Sequence, residues 1–156
     1  TSDNSTTLNV HKEIRQEHRE MRKEIHGEIK DYRKEHRDDM KEAKAECKAR
    51  LDVATTDTEK ETIKAECKAE AKAAREALRS NIKALREGRF TALLASIKLR
   101  LESNLVALRA LPQDKKDAFK AKMNERLDDL EDKANEQNKD DLVLTITAIR
   151  VIINSI

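Results

Sequence analysis

The sequence predicts an all-α protein, an elongated antiparallel three-helix bundle or coiled coil with long, nearly straight helices. Three observations lead there. Helix breakers are almost absent, with 2 glycines and 1 proline in 156 residues, while charged residues make up 41% and aromatics only 2%. An apolar pattern returns every eleven residues, about 3.67 per turn, which favours straight helices with slight right-handed coiling. Two short breaks divide the chain into three lengths of similar size. A chain this long is expected to form one domain.

Residues 1–7, Thr-Ser-Asp-Asn-Ser-Thr-Thr, are small and polar, and are expected to form a flexible arm ahead of a single bundle over residues 8–156. This start without Met looks like a processed end, which points to a secreted, cell-surface or periplasmic protein. It also carries one glycosylation sequon, Asn4-Ser5-Thr6.

The first helix is expected over residues 8–54. Its repeat blocks begin at His11, Arg22, Arg33 and Lys44, and the apolar seam runs Ile14, His18, Met21, Ile25, Ile29, Tyr32, His36, Met40, Ala43, Cys47, Leu51. Steps of three and four keep these positions on one face. One position earlier runs an acidic row (Glu13, Glu17, Glu20, Glu24, Glu28, Asp31, Glu35, Asp39, Glu42, Glu46), and one position later a basic row (Arg15, Arg19, Arg22, His26, Lys30, Arg33, Arg37, Lys41, Lys44, Lys48). So thin a seam requires partners on both sides.

Thr55-Thr56-Asp57-Thr58 ends that helix, with Asp57 or Thr58 as the expected cap and Glu61 at capping-box spacing from Thr58. The second helix is expected over residues 58–110, with repeat blocks from Lys64, Arg75 and, more weakly, Arg86. Leu111-Pro112-Gln113-Asp114 is the second break: proline cannot continue a helix interior, and Asp114 suits a new N-terminus. The third helix is expected over residues 113–156. Reflection about the two turns would bring Ile156 near residue 68, and residue 68 near residue 46. Gly27 and Gly88 are tolerated weak points or bends inside helices, each about 1 kcal/mol worse than Ala.

Cys47 and Cys67 fill the same slot in two copies of Lys-Ala-Glu-Cys-Lys-Ala, ten residues either side of position 57. In an antiparallel hairpin they face each other, so a disulfide is expected. Closing a loop of about 20 residues would stabilise by roughly 3 kcal/mol in the chain-entropy model.

The residues offer little other chemistry. Phosphate-loop, dinucleotide, nucleophile-elbow and HExxH motifs are missing, and so few aromatics do not line a ligand pocket. No enzyme, cofactor or small-molecule substrate is expected. Nucleic-acid binding is not expected either: Lys plus Arg is 33 against 31 Asp plus Glu, and each basic row has an acidic neighbour. No apolar run reaches the roughly 18 residues needed to span a membrane. His18 with Met21, and His36 with Met40, share helix faces and are weak metal candidates. They occupy seam slots filled elsewhere by Ile and Cys, so a structural role is the better reading and no metal is expected.

Apolar residues accumulate late in the chain. Beyond what one seam needs, Phe90, Leu94, Leu99 and Val106 in the second helix and Val143, Leu144, Val151 and Ile152 in the third are expected to leave surface for self-association. Charge gives a second hint. In an antiparallel pair like flanks face each other, and the second helix also has a basic row (Lys64, Lys68, Lys72, Arg75, Arg79, Lys83, Arg86) that would find better partners on another subunit. These features predict a rod-like structural protein whose partner is itself, building a filament, layer or stalk.

The alternative is a periplasmic helical holdase or metal-binding stress protein. The chain is similar, in composition and all-helical character only, to the Spy/CpxP-type and zinc-binding periplasmic helical proteins. It lacks their LTxxQ motif, since no suitable Gln follows Leu144-Thr145. A cytosolic coiled-coil adaptor is a third possibility, and would require free thiols.

Overall fold

The computed structural model describes the backbone of residues 2–156 and side chains from residue 6 onward. Five helices follow one another with no strand among the described residues: α1 (Ser2–Val53), α2 (Asp57–Ser103), α3 (Leu105–Arg109), α4 (Gln113–Glu136) and α5 (Asp140–Asn154). The all-α expectation holds, while the expected three-helix organisation gives way to two compact units. One comprises the chain up to Arg22 with Arg89–Ile156, and the other comprises Lys23–Gly88.

The arm expected over residues 1–7 is instead helical from Ser2; Thr1 lies outside the described residues. Val10, about two turns further on, is fully buried.

The first turn falls at residues 54–56. Thr56 caps α2 through its Oγ1, which accepts from the Glu59 N–H at 3.2 Å, while Glu59 Oε2 accepts from the Thr55 N–H at 3.1 Å. This is a reciprocal capping arrangement, set earlier than the expected Asp57 or Thr58 with Glu61. Gly27 and Gly88 are helical, and a Cβ at either would meet nothing within 4 Å.

The expected second helix stops early. The Asn104 side-chain amide donates to the Arg100 carbonyl at 2.8 Å, competing with the backbone ladder. The short α3 follows, and Pro112 then precedes α4.

The expected third helix is two helices folded back on each other. Asn138 adopts φ 55°, and the Lys139 N–H reaches the Ala134 carbonyl at 2.9 Å while the Asn138 N–H reaches that of Asn135 at 3.1 Å. That is a Schellman stop with asparagine at the left-handed position. Asp140 and Asp141 then open α5.

Folding back lets two apolar stripes bury each other: Phe119, Met123, Leu127, Leu130 and Ala134 of α4, and Leu142, Ile146, Ile149 and Ile153 of α5. Val10 and Ile14 of α1, Leu93, Leu94, Ile97 and Leu101 of α2, and Leu108 of α3 complete one core. Arg150 fastens the hairpin, reaching Asp128 at 2.6 Å and Glu131 at 2.8 Å. Arg100 of α2 does the same for α1, with its Nε 2.7 Å from Glu17. Ile156 therefore ends in this core, near Arg109, whose Nε donates to the Ser155 carbonyl at 3.2 Å. Residue 68 belongs to the other unit.

The second unit is a helical hairpin of the remaining parts of α1 and α2. Ile29 and Ile82 are buried, but Met40, Ala43, Cys47, Leu51, Ile63, Cys67, Ala71, Ala74 and Leu78 are only half-buried. Two helices cover one side of each seam and leave the rest to solvent.

Candidate functional site

Cys47 and Cys67 are joined as a disulfide, with their Cα atoms 6.2 Å apart. Around them the half-covered seam forms a groove of about 920 Å³. Its floor is His36, Met40, Ala43, Cys47 and Leu51 from α1 with Cys67, Ala71 and Ala74 from α2, and Arg37, Lys41, Lys44, Lys48 and Lys68 stand at its rim with Asp39 and Glu70. The floor is apolar because Ala, Cys, Met and Leu occupy the seam, and it stays open because two helices cover only one side of it.

Charge is sorted across the hairpin. Arg50 pairs with Glu66, and each stands one position before a seam residue, Leu51 and Cys67 respectively. The rows preceding the two seams therefore share one side, and the rows following them share the other. On that other side lie Arg33, Arg37, Lys41, Lys44 and Lys48 of α1 with Lys64, Lys68, Lys72, Arg75, Arg79 and Lys83 of α2, all exposed. Among the described residues, Lys64 alone of these has a carboxylate within 4 Å, Glu61 at 3.8 Å. The preceding side carries Glu28, Asp31, Glu35, Asp39, Glu42 and Glu46 with Glu66 and Glu70.

The residues expected at association surfaces divide into three groups. Leu94 is fully buried and belongs to the core instead of the surface. Phe90, Val143 and Ile152 are half-buried against that core. Leu99, Val106, Leu144 and Val151 stand exposed, between 59% and 83%.

The metal candidates are not brought together. His18 and Met21 belong to the bundle unit, His36 and Met40 to the hairpin groove. Among the described residues, no group of three or more His, Cys, Asp or Glu could hold a metal ion. His18 Nε2 accepts from Arg89 Nη2 at 3.2 Å, which occupies the lone pair a metal would need. Burial, then Arg89 and further cations, hold the His18 pKa below its ordinary value.

A second cluster escaped sequence reasoning. His11 is buried with its ring 5.1 Å from that of Phe119, and its pKa is pushed down to about 4, first by burial and then by Lys122, Arg15 and Arg126. The signal was present in α4, where Lys122, Arg126 and Lys133 each stand one position before an apolar residue, Met123, Leu127 and Ala134.

No family model, curated protein or solved structure matches the chain. Among the described residues, no helix is long and apolar enough to cross a membrane.

Proposed function

We propose that this is a non-enzymatic structural subunit that associates with copies of itself through its hairpin, in an extracellular, cell-surface or periplasmic setting. One observation carries the reading: an uncovered apolar seam lies between a basic side and an acidic side. The basic side of one copy is complementary to the acidic side of the next, and the shared repeat keeps the rows in step. Such a contact joins two different surfaces. It leaves each added copy with a free side and builds an open filament, layer or stalk instead of a closed dimer. The exposed Leu99, Val106, Leu144 and Val151 add apolar surface in the bundle unit. The Cys47–Cys67 bond supports an oxidising compartment.

The test is negative-stain microscopy and sedimentation of the native protein over a series of salt concentrations. Ordered assemblies at low salt that disperse as salt rises are expected, because exposed charge contacts are screened. Replacing Lys41, Lys44 and Lys48 together by Glu should abolish them. A monomer at every salt concentration and at high protein concentration would refute the reading.

A holdase role is the second reading, favoured by the size of the groove and by the adaptable Met40 side chain in its floor. Suppression of client aggregation by a non-assembling monomer or dimer would favour it.

A further inference from the structure

Two half-buried arginines of the bundle unit are paired with carboxylates, and a third is not. Arg100 has Glu17 and Glu13, and Arg150 has Asp128 and Glu131. Arg126 is half-buried and has neither a hydrogen bond nor an ion pair among the described residues. Among the described residues nothing accepts from its five N–H donors, which still reach solvent.

The surroundings make the absence of a partner more pointed. Arg126 lines a cavity of about 220 Å³ with His11, Lys122, Met123, Glu125 and Asp129. Arg15 stands close by on α1, its Nε donating to the His11 carbonyl at 3.4 Å, and among the described residues no carboxylate pairs with it. Burial and then the like charge of Arg15 hold the Arg126 pKa below the ordinary arginine value, with no acidic group acting in the other direction. Glu125 and Asp129 are exposed and make no ion pair with Arg126 or Lys122. They border the cavity without neutralising it.

We propose that the bundle unit binds a small tetrahedral oxyanion, phosphate or sulfate, between α1 and α4, held by Arg126, Arg15 and Lys122 with the His11 ring beside it. A planar guanidinium matches two oxygens of such an ion at once, and Lys122 adds a point charge. The acidic pair at the border works against an extended polyanion and leaves room for a compact one. The site also accounts for the exposed Arg15 of α1 and the half-buried Arg126 of α4 being held near each other: the ion supplies the charge that the fold leaves out. This inference is independent of self-association through the hairpin.

The experiment uses the full chain near neutral pH. Sodium phosphate and sodium sulfate are titrated by calorimetry and thermal unfolding against sodium chloride at matched ionic strength. Both oxyanions are expected to raise the unfolding temperature above the chloride value. Arg126→Gln should weaken phosphate binding by about ten- to a hundredfold, as loss of charged hydrogen bonds implies. In chloride the same variant should unfold at a higher temperature than the parent, because a like-charge contact is gone, so loss of binding is distinguished from misfolding. Lys34→Gln, on the exposed surface of the hairpin, should leave binding intact. Proton NMR supplies an independent readout: phosphate should raise the His11 pKa from about 4. Equal unfolding temperatures in phosphate and chloride, or full phosphate binding by Arg126→Gln, would overturn the proposal.

Discussion

Replacing Cys47 and Cys67 together by Ala should loosen one unit of this protein and leave the other intact. The bond closes a loop spanning a sequence separation of 20. In the chain-entropy model this removes about 11 cal/mol/K from the unfolded ensemble, or about 3.3 kcal/mol at room temperature. That energy matters in the hairpin because little else holds this end: the seam nearby is Ala43, Leu51, Ile63, Ala71 and Ala74, all half-buried, and the cross-hairpin ion pair Arg50–Glu66 is exposed. An exposed pair adds little to that. Native-state hydrogen exchange reads the effect by residue. A loss of 3.3 kcal/mol corresponds to roughly a 250-fold fall in protection, expected for amides between residues 40 and 74. Amides of Leu93–Leu101, Phe119–Ala134 and Ile146–Ile153 belong to the core of the other unit and should keep their protection. Less than a threefold change in the hairpin would refute the reasoning, and so would an equal fall in both units. Mass spectrometry of the unreduced native protein should first show the Cys47–Cys67 peptide pair.

Two further predictions test the bundle. Because His11 titrates at about 4 when folded and near 6.5 when unfolded, the unfolded chain binds the extra proton between those values. Stability contributed by the neutral ring is therefore complete above pH 6.5 and is lost as pH falls toward 4, on the order of 2 kcal/mol after allowance for partial solvation. Denaturant melts in chloride buffer should show that slope, and His11→Phe should remove it; parallel slopes in the two proteins would contradict the assignment. Asn138 holds φ 55° at the α4–α5 turn, so Asn138→Gly should be close to neutral while Asn138→Val should destabilise by about 1–2 kcal/mol. Equal stability of the glycine and valine variants would show that the turn does not depend on a left-handed residue.

Much of the local structure was legible in the sequence because it rests on local physics. The helical class follows from composition and period, and the seam from Ile14 to Leu51 is less exposed than its flanks at nearly every position. The disulfide followed from placing two identical motifs symmetrically about a turn. The candidate groove was half legible: the seam residues and charge rows were identified, but that two helices would leave this seam open was not.

The breaks at Asn104 and at Gln137–Lys139 are another matter. The residues there, Ser103-Asn104 and Asn135-Glu136-Gln137-Asn138, are polar and tolerated in a long exposed helix, so propensity alone does not choose between continuing and stopping. The choice is made by burial. A continuous third helix would leave much of the apolar surface of residues 142–156 in water, while a turn at Asn138 lays it against Phe119, Met123, Leu127 and Leu130. Several buried aliphatic side chains, at about 1.5–3 kcal/mol each, outweigh a turn that costs about as much as one of them. The same return brings Ile156 into the core that also holds Leu94. The packing of α4 on α1 brings Arg126 beside Arg15 and His11. Period, charge rows and cysteine pairing were set along the chain; where the chain turns back, and which cations it gathers there, was decided by the contest between apolar burial and helix continuation.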